Sequence, residues 1–315
     1  MIIMSITTRS LFKSYGDLVA VNGIDLDVKP GKVFGFLGPN GAGKSTIIKL
    51  LTTLITPTSG QIEILGINAI KNPLEVRKKI GVVLQQPSYE PNLSVEKSLD
   101  KYGMMWDVDK NTRKQRTEEL IKVFDLEQIR KKKNEDLSIG QRRRVQVARE
   151  FMHEMDLLFL DEPTVGLDPG ARRKLLNFLK DKARTGLTIF YTTHILTEAE
   201  YLCDEIAVIN QGKILAVDTP DQLKTTFGKE KTIKIRLQDK RDNLASLLYK
   251  IPECSVDVNT ETDIIIQSSK AEIVLSQVLS ILIENNITIE DLSAMPTTLE
   301  EIFLKMVTEN NESND

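Results

Sequence analysis

Gly38-Pro39-Asn40-Gly41-Ala42-Gly43-Lys44-Ser45-Thr46 follows the apolar run Val33-Phe34-Gly35-Phe36-Leu37, an order that spells a phosphate-gripping loop between a buried strand and a helix. The glycines free the backbone to curl its N–H groups around phosphate oxygens. Lys44 adds a point charge, Ser45 a hydroxyl for Mg²⁺, and the following helix aims its positive end at the anion. A glycine-rich turn alone would merely cap a helix. The Lys-Ser pair completes the motif and marks a nucleoside triphosphate site, with Gly38 to Thr46 as its expected contacts.

Outward from this loop, 315 residues, 41% hydrophobic and 28% charged, describe an ordinary globular chain long enough for two domains. The net charge of −3 gives no global attraction to nucleic acid or acidic lipid. Two basic clusters stand out, Arg130-Lys131-Lys132-Lys133 and Arg142-Arg143-Arg144, and the first reads as a solvated loop. Cys203 and Cys254 lack CxxC spacing and the only histidines are His153 and His194, which argues against a disulfide framework and a zinc site. Met1-Ile2-Ile3-Met4 carries no basic stretch with an apolar core, and Lys270 and Glu272 break the run from Ile264 to Ile283. No signal peptide and no membrane span are expected. The expected location is the cytosol, with any membrane role acting through a partner.

Alternation in Ser5 to Lys13 and in Ile24 to Val28 predicts antiparallel strands ahead of the loop, and the helix from Lys44 to Leu54 is followed by a strand from Gln61 to Leu65. Leu93 to Lys133 is helical and highly charged, with Thr112 and Gln115 at capping-box spacing. Leu157-Leu158-Phe159-Leu160 and Leu187 to Thr192 suit buried parallel strands, and Glu205 to Asn210 with Lys213 to Val217 forms a hairpin around Gln211-Gly212. Thr219-Pro220 opens a short helix. Beyond Phe227-Gly228-Lys229 a second pattern begins: alternation at Ile233, Ile235 and Leu237, β-rich runs from Ser255 to Asn259 and Asp263 to Gln267, and a helix capped by Ser269 with Glu272. A strand from Ile287 to Leu292 and a helix opened by Thr297 with Glu300 complete a small α+β domain.

Asp161 and Glu162 end the run Leu157 to Leu160, at the strand end where an open α/β sheet presents its ligands. Asp161 fits a carboxylate that holds Mg²⁺, and Glu162 a base that polarises water for attack on the γ-phosphate. Between loop and acids, Leu137-Ser138-Ile139-Gly140-Gln141 opens a helix, a second anion site built from a serine hydroxyl and a glycine N–H.

Phosphate loop, LSxGQ and FLDEP in this order resemble the ATP-binding cassette (ABC) family of ATPases over Ser5 to about Phe227. The resemblance implies a P-loop NTPase of ABC type: an α/β fold with a mixed sheet core, an antiparallel β subdomain and a helical insertion at about 86–150. The ABC domain then spans 1–228, and an α+β accessory domain 229–315. It implies ATP and Mg²⁺ as cofactors, with the signature of Ser138, Gly140 and Gln141 reaching the nucleotide of a second subunit. Ile139 replaces the signature's first glycine. A β-branched residue resists positive φ, so the backbone there is either helical or strained.

By the same resemblance Tyr15 stacks on adenine, a strand-face tyrosine being the alternative. Gln85 touches Mg²⁺ and the attacking water, with adjacent Gln86 as the other register, Asp168 meets the opposite subunit, and His194 senses γ-phosphate. His153 reads as structural. Phe159 to Pro169 and Pro296 to Leu304 are similar to the daunorubicin-resistance group of exporters. That similarity implies a homodimer or paired ATPase subunit on the inner face of the membrane, hydrolysing ATP to drive a separate permease that exports drugs, lipids or polysaccharides. It also makes Tyr89 and Leu93 candidate contacts for the permease, packing inside the insertion being the alternative for both. The alternative is a soluble mechanical ATPase, for which a second cassette, a coiled coil or a basic surface would be expected.

Overall fold

The computed structural model describes residues 3–86, 88–227, 231–238, 248, 251, 254–258, 262–268, 270–285, 287–296 and 298–312. β1 (Ile6–Tyr15) and β2 (Leu18–Val28) pair antiparallel. β2 begins six residues earlier than its alternation implies, because register shifts after Thr8 and Lys13 interrupt the period of two. The chain then enters β3 (Val33–Leu37), buried at every position, and α1 (Lys44–Leu51). β4 (Ser59–Ile64) pairs with β1, and β5 (Ile67–Asn68) with β4, completing an antiparallel sheet in the order β2-β1-β4-β5.

After α2 (Pro73–Arg77) and β6 (Ile80–Val83), the helical insertion carries α3 (Val95–Met105), α4 (Lys110–Val123) and α5 (Ile139–Glu150). The cap of α4 is Asp109, whose carboxylate accepts from the N–H groups of Asn111 and Thr112. Thr112 and Gln115 therefore lie inside the helix and form no capping box. One carboxylate upstream satisfies two of the free N–H groups that the box would have served.

β7 (Leu157–Asp161), α6 (Pro169–Arg184), β8 (Thr188–Thr193), α7 (Leu196–Leu202), β9 (Glu205–Asn210) and β10 (Lys213–Asp218) follow. They build a six-stranded sheet in the order β10-β9-β3-β8-β7-β6, parallel except for β10. Phe190 anchors its core, with ring centroids 5.5–5.8 Å from those of Phe34, Phe36 and Phe159. Strand order explains the site: β6, β7, β8 and β3 are consecutive neighbours, so their carboxyl ends bring distant sequence to one edge.

The chain divides into two compact units, Met1–Thr219 and Pro220–Asp315. The helix α8 (Pro220–Phe227), assigned to the first domain by sequence, groups with the second unit, where it packs on the helix Leu299–Glu312. β11 (Lys231–Leu237), β12 (Ser255–Val258), β13 (Asp263–Ser268) and β14 (Ile289–Pro296) form an antiparallel sheet in the order β12-β13-β11-β14. Ile233, Ile235 and Ile266 pack with Val278 and Leu282 of the helix Ala271–Glu284 into a core of their own.

Two expected caps in this unit, Ser269 and Thr297, lie outside the described residues. The terminal helix has its reciprocal cap one position later than the spacing implied: Thr298 N–H donates to the Glu301 carboxylate and Glu301 N–H to the Thr298 hydroxyl. Among the described residues no helix is long and apolar enough to cross a membrane.

Candidate nucleotide site

Gly41 and Gly43 take φ of +83° and +104°, the left-handed turn that exposes successive N–H groups. A Cβ at Gly43 would stand 2.5 Å from the carbonyl oxygen of Ala20, so the sharp entry to α1 requires glycine. Gly43 is also the N-cap of α1 and provides no side-chain bond. No side chain therefore covers the first-turn N–H groups on that account, and they suit an anion.

Lys44 is only 6% exposed and turns back on its own loop, donating to the carbonyls of Gly38 at 2.8 Å and Pro39 at 3.1 Å. Burial pushes its pKa down, while the nearby Glu162 and Asp161 carboxylates pull it up. Its Nζ lies 3.5 Å from Glu162. Ala42 is buried under the loop. A cleft of about 430 Å³ brings Asn40, Lys44, Ser45 and Thr46 together with Tyr15, Gln85 and Glu162. Tyr15 is 48% exposed, with the Lys13 ammonium over its ring, so one face of the loop cleft is aromatic.

Glu162 is the convergence point. Its carboxylate accepts from Gln85 Nε2 at 3.2 Å and lies 3.1 Å from His194 Nδ1, so β6, β7, β8 and the phosphate loop all deliver a group to it. Gln85 makes this contact, and Gln86 instead offers its carbonyl to Gln146 at 3.4 Å. Glu162 has a φ of +49°, a left-handed conformation that a non-glycine residue adopts at a cost of about 1–2 kcal/mol. Its N–H is held there by the Thr192 carbonyl at 3.1 Å. Asp161, 2% exposed, accepts from the Thr192 hydroxyl at 2.6 Å.

The signature residues do not line this cleft in the same chain. Ser138 and Gln141 form a reciprocal capping box at the start of α5, each side chain bonded to the other's N–H. Ile139 is therefore helical, absent from the positive-φ residues and 68% exposed, so its substitution for glycine introduces no strain. A Cβ at Gly140 would meet the carbonyl oxygen of Gly166 at 2.4 Å, which ties the signature to the loop leading to Asp168. Asp168 caps α6, accepting from Ala171 N–H, and this bond holds its carboxyl below the usual range.

Sequence reasoning missed a set of buried polar side chains along α5. Arg143, 5% exposed, donates to the carbonyls of Leu84 and Gln85; Gln146 donates to that of Leu84; Glu150, 2% exposed, accepts from Val82 N–H and from Tyr102 Oη. Their spacing of three and four residues was the available signal, a polar stripe on one helix face. What it faces, strand β6 running into Gln85, lies some 60 positions away and is invisible to local pattern. The cluster Arg142-Arg143-Arg144 is accordingly internal wiring: Arg142 also donates to Tyr89 Oη at 3.0 Å and covers its ring. His153 stacks on Trp106, centroids 3.9 Å apart, and burial lowers its pKa to about 4.

Burial raises the Glu150 pKa to about 7, only partly offset by Arg149 and Tyr102. A folded-state pKa above the unfolded value means that stability is fully present below about pH 4.5 and lost as pH rises through about 7. Glu150→Gln mimics the favoured neutral form. It should stabilise the protein at pH 8, read as a raised melting temperature, and the gain should vanish below pH 4.5. Equal melting shifts at both pH values would contradict this.

A family model described as ABC transporter matches residues 21–165, and one described as an AAA domain matches 134–199. The chain is 34% identical to a daunorubicin resistance ATP-binding protein of Streptomyces coeruleorubidus, over 96% of this chain and 95% of that one. It is 32% identical to a linearmycin resistance ATP-binding protein of Bacillus subtilis over 95% and 96%, and 33% identical to a bacitracin transport ATP-binding protein of Bacillus licheniformis over 96% and 97%. Among solved structures, an ATP-binding subunit of an ABC transporter superimposes with a TM-score of 0.66 at 29% identity, covering 71% of this chain and 93% of that one. A dimeric, post-hydrolysis ATP-binding cassette with ADP and Pi gives 0.64 at 26% identity, over 68% and 98%. Full-length likeness to transporter subunits sets aside the soluble mechanical ATPase. The chain belongs to the ABC transporter family, as a transport-coupled subunit that binds and hydrolyses ATP.

Proposed function

We propose that two copies of this chain, or this chain and a paired ATPase subunit, close on two ATP molecules. Each ATP would be held between the phosphate loop of one subunit and the Ser138–Gln141 signature of the other. What carries the reading is the separation within one chain: a cleft complete in loop, Gln85 and Glu162, and a signature helix start that stands outside it. The dimeric assembly of the cassette holding ADP and Pi supports it.

In the proposed cycle Glu162 is the base that accepts a proton from the attacking water, Gln85 and His194 orient that water and the γ-phosphate, and Tyr15 packs on the base. Lys44 would exchange its own-loop carbonyls for the β- and γ-phosphates. Ser45, Gln85 and Asp161 would hold Mg²⁺. The Ser45 hydroxyl and Gln85 amide in the cleft and the buried Asp161 carboxylate are hard oxygen donors of the kind Mg²⁺ takes, with the phosphates themselves supplying the rest. When bound, Mg²⁺ would neutralise charge on those phosphates. Loss of the γ-phosphate removes the contacts that hold the halves together.

The partner in this reading is a separate integral membrane permease, docked on the inner face of the membrane beside the helical insertion. The cargo class proposed is drugs, as the relatives' names (daunorubicin resistance, linearmycin resistance, bacitracin transport) suggest, with lipids or polysaccharides as the other candidates. Co-purification from native membranes tests it: a polytopic protein should elute with the chain, and its absence would count against the permease.

Lys44→Ala should weaken ATP binding and turnover together, since the charge serves ground and transition states alike. Calorimetry showing unchanged affinity would contradict the loop assignment.

A further inference from the structure

Glu198 is the least explained buried charge in the first unit. It lies in the first turn of α7, is 2% exposed, and stands outside the nucleotide cleft. Burying a carboxylate is costly unless hydrogen bonds replace its water. Here a single oxygen, Oε2, accepts three hydroxyls: Tyr191 Oη at 2.6 Å, Thr164 Oγ1 at 2.9 Å and Thr193 Oγ1 at 3.2 Å. The other oxygen, Oε1, lies 3.3 Å from Arg172 Nε as an ion pair without hydrogen-bond alignment.

The donors are not scattered. Thr193 immediately precedes His194, and its hydroxyl also accepts from Ile195 N–H at 2.9 Å, so the histidine is bracketed. Thr164 stands two residues after Glu162 and opens the loop to Asp168. Arg172 lies in the first turns of α6, which Asp168 caps. One carboxylate thus fixes both sides of His194 and the exit from Glu162, whose left-handed φ needs outside support.

We propose that Glu198 is a positioning residue for ATP hydrolysis, holding the His194 segment and the Glu162–Asp168 loop in one geometry. It touches no substrate. This rests on His194 serving the hydrolysis site, which His194→Ala alone tests separately.

The experiment is steady-state ATPase kinetics on the full-length protein. Glu198→Ala removes all three acceptor contacts. It should lower kcat by about 10- to 100-fold, the scale set by a misplacement near 1 Å, with KM for ATP within about twofold of wild type because loop and Tyr15 are untouched. Glu198→Gln, which can keep one acceptor oxygen at the Oε2 position, should restore most of kcat. Combined with His194→Ala, the Glu198→Ala loss should be much less than additive. Wild-type kcat in Glu198→Ala, or full additivity with His194→Ala, would overturn the proposal. If Glu198→Ala does not fold, Tyr191→Phe and Thr193→Val each delete one hydroxyl and carry the same test: a fall in kcat at constant KM supports positioning, and a lowered melting temperature with unchanged kcat refutes it.

Discussion

Glu162→Gln should bind ATP as well as wild type and hydrolyse it about 10²–10⁴-fold more slowly, the usual loss on removing a general base. Gln85 Nε2, His194 Nδ1 and Lys44 Nζ all lie within 3.5 Å of this carboxylate. An amide offers them one oxygen instead of two and cannot take the proton of the attacking water. ATP should then hold the dimer shut. Rapid-quench turnover with light scattering measures both halves of the expectation, and near-wild-type turnover in the purified variant would remove Glu162 from the role.

The second large effect is expected at Gly140. In the proposed dimer a carboxylate there would face the γ-phosphate bound by the opposite subunit, and like charges at close range oppose closure. The structure adds a steric effect, since any Cβ meets the Gly166 carbonyl at 2.4 Å. Gly140→Ala isolates that displacement and should weaken ATP-driven dimerisation; Gly140→Asp should abolish it. Nucleotide binding by the monomer should survive in both, because the phosphate loop of the same chain is remote from the change. In the Glu162→Gln background, a dimer that persists with Gly140→Asp would sink the reading in which the signature acts across subunits.

The parts of the site that sequence disclosed are those whose chemistry is local. A glycine-rich loop ending in Lys44-Ser45, and two acids closing a four-residue apolar run, need no knowledge of neighbours. Gln85 and His194 came from resemblance, and only the strand order β3-β8-β7-β6 explains why they meet Glu162. Glu150, Arg143 and Glu198 stayed hidden because a charged residue among charged residues reads as solvent-facing. Their burial is decided by segments that tertiary packing lays over them. Cap positions slipped for a related reason: Asp109 and Thr298 compete with nearby Thr and Glu residues of the same propensity, and the competition is settled by where the chain enters the helix.

The left-handed backbone at Glu162 has a consequence for how this sequence can drift. Glycine and asparagine occupy φ near +49° more readily than glutamate, so either would relieve about 1 kcal/mol at this position. Both lack the carboxylate. Loss of the carboxylate, however, would leave buried Lys44 without its ion-pair partner, a larger cost than the backbone relief, so the same side chain that strains the main chain also keeps the phosphate-loop lysine in place.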